Sequence, residues 1–237
     1  MQPLTARTLL FDLDGTLMDT VPDIAGAANR TMRALGLAER PEEDLRMWTG
    51  NGSDKLIKRT ITGEWDGEPD PALQARALPL FFDLYAEHIF ERSRFYPGVE
   101  ETMARLRAEG FTLACVTNKP DRHTGLLLEV SGLSRHLSAW VGGDTLGVRK
   151  PDPDQLLHAA GTLGSAASEC VMIGDSMNDI QAARAAGMRV ICLTYGYNQG
   201  VDLRTGSPDR LLEDFRELAE HLALVSGGSD RKLSSAI

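Results

Sequence analysis

In the second half of the chain, short uninterrupted apolar runs alternate with longer stretches whose apolar residues recur at helical spacing. The runs at 111–116, 139–141, 170–173 and 190–193 are too short for ordinary helices and read as strands. Between them, residues 99–109, 122–130, 154–163 and 178–186 read as helices. A strand that is apolar at every position has no face to offer water, so its sheet must be covered on both sides. Alternation of strand and helix supplies that cover and predicts an α/β fold built on a parallel sheet. The earlier run 8–13 joins the same set.

Residues 20 to about 96 have a different texture. Helical patterning covers 24–35, 54–62 and 71–90, and no convincing strand interrupts it. Pro22 and the turn signal Tyr96-Pro97-Gly98 punctuate its two ends. The expected organisation is a discontinuous core of 1–19 and 97–237, with 20–96 inserted as a second, helical unit. Residues 227–237, rich in Gly, Ser and charge, are expected to fray.

Charge and cysteines narrow the function classes. The 237 residues carry a formal net charge of −9, which gives no electrostatic pull toward nucleic acid or an anionic membrane. No apolar stretch approaches a membrane span, and no basic-then-apolar export signal opens the chain. Cys115, Cys170 and Cys192 each sit inside an apolar run, which suits buried reduced thiols and predicts neither a disulfide framework nor a zinc site. A cytoplasmic location follows as the default, as a monomer or a homodimer.

The polar residues gather where the strands end. Run 8–13 leads into Asp12-Leu13-Asp14-Gly15. Side chains alternate along a strand, so both carboxylates are expected on one side as the chain leaves the sheet. Two crowded acids need positive charge between them, and a hard divalent cation such as Mg²⁺ prefers oxygen ligands. An ordinary Asp-x-Asp-Gly surface turn is the plain alternative. A calcium loop is not, because its twelfth position is Asp23 where a Glu is required.

The other runs end in Thr117-Asn118-Lys119, in Gly142-Gly143-Asp144 leading to Arg149-Lys150-Pro151, and in Gly174-Asp175-Ser176-Met177-Asn178-Asp179. Open parallel sheets bind ligands beyond the carboxyl ends of their strands, so all four sets are expected on one rim. Acids that hold a metal, beside lysine and hydroxyl donors, suit phosphoryl transfer. No Gly-x4-Gly-Lys-[Ser/Thr] loop is present to cradle a nucleotide.

These segments, together with Thr16-Leu17 after the first acid pair, resemble the four ordered motifs of the haloacid dehalogenase superfamily. The resemblance runs over nearly the whole chain. It implies a Rossmann-like parallel-sheet core with an inserted all-helical cap domain, and an Mg²⁺-dependent phosphatase. It further implies Asp12 as nucleophile and Asp14 as proton carrier. The metal would take the Asp12 and Asp175 carboxylates and the Asp14 backbone carbonyl, with Asp179 and Ser176 supporting that shell. Thr117, Asn118 and Lys150 would hold the phosphoryl oxygens.

A closer likeness, to bacterial phosphoglycolate phosphatases, rests on Trp48-Thr49-Gly50-Asn51-Gly52, on Thr117-Asn118-Lys119-Pro120 and on Tyr195-Gly196-Tyr197-Asn198. It implies hydrolysis of 2-phosphoglycolate, a small anionic phosphomonoester, through an aspartyl-phosphate. Gly50 and Gly52 let backbone amides approach an anion closely, so this loop with Asn51 is expected over the site, with Lys55 and Arg59 as candidate charge partners. An ordinary interhelical turn is the alternative for that loop. Other readings are a phosphatase for a sugar phosphate or nucleoside monophosphate, a phosphosugar mutase, and a catalytically silent phosphate-binding protein. A silent protein is expected to lack an acid of the first or last motif, and none is missing.

The remaining conspicuous residues are expected to be structural. His88, His123, His136, His158 and His221 show no metal spacing. Trp65 and Trp140 are expected in the core, the run 213–217 on the solvated face of a terminal helix, and Asp144 either orienting Lys150 or capping a turn.

Overall fold

The structure, a computed structural model, describes residues 2–225; the expectation for 227–237 lies outside them. The chain opens with β1 (Leu4–Ala6), β2 (Thr8–Phe11) and β3 (Met18–Asp19). Four helices follow without an intervening strand: α1 (Val21–Ala34), α2 (Glu42–Trp48), α3 (Ser53–Thr62) and α4 (Pro71–Glu87). Then come β4 (Arg94–Phe95), α5 (Val99–Ala108), β5 (Thr112–Val116), α6 (Asp121–Val130), β6 (Ala139–Val141) and α7 (Asp154–Thr162). The described residues end with β7 (Cys170–Gly174), α8 (Met177–Ala185), β8 (Arg189–Leu193), β9 (Arg210–Leu212) and β10 (Leu222–Leu224).

Six strands form one parallel sheet in the order β6-β5-β2-β7-β8-β9. Alternation along each strand sends its side chains into two separate apolar layers. Leu9, Phe11, Leu113, Cys115, Val171 and Ile173 meet α5, α6 and the 3-10 turn Phe215–His221 on one face. Leu10, Ala114, Val116, Met172, Val190 and Cys192 meet α7 and α8 on the other. The sheet is thus buried on both faces, the condition that its continuous apolar strands require.

The four helices after β3 build their own apolar cluster from Val21, Ile24, Leu45, Ile57, Phe81 and Tyr85, with α1 packed chiefly on α4. Helix α4 starts at Pro71, whose missing N–H costs nothing in a first turn, and the Asp70 side chain caps it by accepting from the Ala72 N–H. The antiparallel pair β3–β4 joins the two strands of chain that connect these helices to the sheet.

Several elements differ from the sequence reading. Helix α2 and strands β1, β3, β4, β9 and β10 have no counterpart in the sequence pattern. The segment around 213–217 is a 3-10 turn rather than an α-helix, and Phe215 within it is fully buried. Trp65 and Trp140 are not core residues; they are 42% and 45% exposed. Trp140 lies on β6, the outermost strand of the sheet, and Trp65 lies over the Arg59 guanidinium, 3.7 Å from it. The three cysteines are free and buried.

Candidate active site

The strand ends meet at one cluster of buried charge. Asp12 leaves β2, Thr117 leaves β5 and Asp175 leaves β7, three adjacent strands in the middle of the sheet. Leu13, between the two acids, is fully buried, and Leu17 and Met18 both donate backbone N–H bonds to its carbonyl. That turn needs Gly15, at φ +90°, because a Cβ there would strike the Asp175 carboxylate. Gly196, after β8, is under the same restriction, since its Cβ would meet Asp175 as well.

The acids Asp12, Asp175 and Asp179 offer carboxylate oxygens that all lie within 4.8 Å of one another. Lys150 stands against two of them. Its Nζ is 3.1 Å from Asp12 Oδ1, and it donates to Asp179 Oδ1 at 2.7 Å and to the Val116 carbonyl at 2.8 Å. Asp179 is completed by the Asp175 N–H, the Ser176 N–H and the Ser176 hydroxyl, all donating to its other oxygen. Asp175 accepts from the Thr16 hydroxyl on one oxygen and from the Tyr197 N–H on the other, both at 2.5 Å.

Burial pushes the Asp12 carboxyl up to about 6; Lys150 opposes the rise, while Asp179 and Asp14 add to it. Burial, then Asp12 and Asp179, also holds Asp175 well above the usual carboxylate range. Lys150 pays for burial too, but Asp12 and Asp179 more than offset this and hold it protonated.

Asp14 faces the same cavity from a separate set of partners. Its carboxylate accepts from the Thr20 hydroxyl at 2.6 Å and from Lys119 Nζ, at 3.0 and 3.1 Å. Burial disfavours the charge on Lys119, and Asp14 together with Tyr85 more than restores it. The four carboxylates outnumber the two ammoniums by two, all but sealed from water. Such a surplus among oxygen donors fits one hard divalent cation at Asp12 and Asp175, with Asp179 behind them engaged by Lys150 and Ser176.

The cavity in front of these groups measures about 40 Å³. Asp12, Asp14, Thr117, Asn118 and Lys119 line it from the sheet side, and Gly50, Gly52 and Ser53 from the helical side. The loop carrying Gly50 is tied across the gap, because its carbonyl accepts from both Asn118 Nδ2 and Asn178 Nδ2. Asn51 points elsewhere: its side-chain oxygen accepts from Arg59 and Gln199. Arg59 is buried in that role, while Lys55 opens on a separate surface depression with Asp54 and Lys58. Neither lines the central cavity. Asp144 caps a turn, accepting from the Asp121 N–H, and does not touch Lys150.

Two groups of contacts escaped the sequence. Tyr197 sends its N–H to Asp175, while its hydroxyl donates to Asp19 at 2.6 Å and accepts from the Thr20 and Val21 N–H groups. Two residues on, Gln199 Nε2 donates to the Thr49 carbonyl and to Asn51. In addition Tyr85, Phe81 and His123, which carry no motif signal, wall the far side of the cavity. His123 is buried against the Phe82 carbonyl, and burial lowers its proton affinity.

Comparison with known proteins places the chain among relatives of one kind. The family model for haloacid dehalogenase-like hydrolases matches residues 6–187. A phosphoglycolate phosphatase of Nitrosospira multiformis is 47% identical over 85% of this chain and 88% of its own. Another, from Nitrosococcus oceani, is 43% identical over 91% of this chain and 96% of its own. The crystal structure of a predicted phosphoglycolate phosphatase from Haemophilus somnus superposes with a TM-score of 0.84 at 32% identity, covering 91% of this chain and 97% of that one.

Proposed function

We propose, from the premise that this chain belongs to the haloacid dehalogenase-like hydrolase family, that it is an Mg²⁺-dependent phosphatase hydrolysing 2-phosphoglycolate to glycolate and phosphate. The observation that carries the reading is the Asp12 carboxylate, set 3.1 Å from Lys150 Nζ, within 4.8 Å of two further buried acids, and at the edge of a cavity it shares with Asp14. A carboxylate so placed suits nucleophilic attack on phosphorus, giving an aspartyl-phosphate on Asp12. Mg²⁺ bound by Asp12, Asp175 and the Asp14 backbone carbonyl would neutralise phosphoryl charge.

The other roles fall to the chain's own groups. Lys150, Thr117 and Asn118 hold the phosphoryl oxygens and keep them in line with Asp12. Asp179 fixes Lys150 and, with Ser176, fixes the strand end that carries Asp175. Asp14 gives a proton to the leaving alkoxide and then takes one from the water that cleaves the aspartyl-phosphate. Thr20 and Lys119 hold its carboxylate still for both steps.

Two features support a small anionic leaving group. Room for one water takes about 10–15 Å³, so an enclosed space of about 40 Å³ favours a compact leaving group. Gly52, the residue before helix α3, has no side chain to cap it, so the helix's first N–H groups are left for an anion. Gly50 and Gly52 contribute backbone here, while Asn51 braces the loop.

Phosphate release from 2-phosphoglycolate, small sugar phosphates and nucleoside monophosphates, with and without Mg²⁺, tests the reading. Turnover is expected to require Mg²⁺, to favour 2-phosphoglycolate and to vanish in Asp12→Asn with the circular dichroism spectrum unchanged. Hydrolysis by that variant at more than a few per cent of the parent rate would remove Asp12 from its role.

A further inference from the structure

Tyr85 stands on α4 and is 2% exposed, yet its buried hydroxyl proton has no acceptor among the described residues. Buried hydroxyls without partners are rare, and one that lines a cavity is a donor awaiting an acceptor. Burial pushes this phenol up to about 12, so it keeps its proton throughout the neutral range. Its ring face lies 4.6 Å from Lys119 Nζ. An ammonium carries three donors and no acceptor; this one donates to both Asp14 oxygens and also sits against the Tyr85 hydroxyl, whose own proton it cannot accept. The surrounding wall is apolar, built of Ile24, Leu56 and Phe81.

We infer that Tyr85 Oη and Lys119 Nζ form the subsite that takes the carboxylate of the substrate, a deepening that rests on the function proposed above. The two lysines serve two anions: Lys150, behind Asp12, serves the phosphoryl group, and Lys119, in the cavity wall at Asp14, serves the leaving group. Lys119 is the one charged nitrogen on the leaving-group side of the described cavity, because His123 is kept neutral by burial and bonded to Phe82. An apolar wall strengthens a charge-assisted hydrogen bond and makes an uncharged leaving group a poor match, since it leaves Tyr85 unpaired.

The test compares the parent chain with Tyr85→Phe, which removes the hydroxyl and keeps the ring. The measured quantity is the preference, kcat/KM for 2-phosphoglycolate divided by kcat/KM for ethyl phosphate, which has no carboxylate. A lost hydrogen bond to a charged group predicts that this ratio falls about tenfold or more, with the loss in KM. Glycolate, used as a competitive inhibitor of ethyl phosphate hydrolysis, is expected to weaken by a similar factor in the variant. A ratio and an inhibition constant both within twofold of the parent would overturn the subsite. Failure of the parent itself to prefer 2-phosphoglycolate would instead overturn the substrate reading. In that case the glycolate inhibition constant still decides the subsite: about tenfold weakening in the variant upholds it, and no inhibition of the parent rejects it.

Discussion

Removing the charge of Lys150 exposes how the acid cluster is balanced. Its side chain is 1% exposed, and Lys150→Met leaves the Asp12, Asp175 and Asp179 cluster without its ammonium while keeping much of the stem's volume. Deleting one partner of a buried pair costs about 3–5 kcal/mol, because the surviving charge stays desolvated. For a chain of this size each kcal/mol moves the midpoint by roughly 2–4 °C, so the metal-free variant should melt about 6–20 °C below the parent.

The deficit has a pH sign. With the folded-state proton affinity of Asp12 raised above its unfolded value, the folded chain binds more protons, and stability falls as pH climbs from about 4 through about 6. Loss of the lysine widens that window upward, so the deficit should be larger at pH 8 than at pH 5. Saturating Mg²⁺ should narrow it, since a cation at Asp12 and Asp175 takes over part of the missing charge. Thermal unfolding by circular dichroism at pH 5 and 8, in EDTA and in Mg²⁺, measures all four conditions. A loss below about 1 kcal/mol in EDTA at pH 8, or one that Mg²⁺ leaves unchanged, would refute this account of the cluster.

Two further expectations follow from the same geometry. The apparent Mg²⁺ affinity should fall about tenfold per pH unit once pH drops below about 6, because a proton on Asp12 competes with the metal; calorimetric titrations from pH 5 to 8 read this directly, and a flat profile would contradict it. Gly15→Ala places a Cβ at φ +90° against Asp175. It should lower stability by more than about 1 kcal/mol and weaken Mg²⁺ binding in the same titration.

How much of this was legible depended on where a residue sits relative to a strand. Asp12, Thr117 and Asp175 follow continuous apolar runs, and strand ends of a parallel sheet share one rim, so their meeting was readable across the chain. The pairing of Lys119 with Asp14 spans 105 positions and has no local pattern. Tyr85 and Phe81 face the cavity from a helix whose apolar stripe looks the same whether it faces a core or a ligand. Trp140 misled because an edge strand presents a side chain to solvent that a central strand would bury. Helix α2 was invisible for a different reason: seven residues with three acids in the first turn give too few apolar positions to set a period.

The segment from Tyr195 to Gln199 has a consequence for exchanging parts between relatives. It reaches Asp175 through the Tyr197 N–H, the end of β3 at Asp19 and Thr20 through the Tyr197 hydroxyl, and the loop at Thr49 and Asn51 through Gln199. A chimera that receives a foreign helical segment between β3 and β4 therefore inherits a socket cut for another chain's residues. Compatible grafts must carry two pieces of sequence, the helices and this short stretch more than a hundred residues away. Substrate range in such chimeras should then follow the pair of pieces rather than the helices alone.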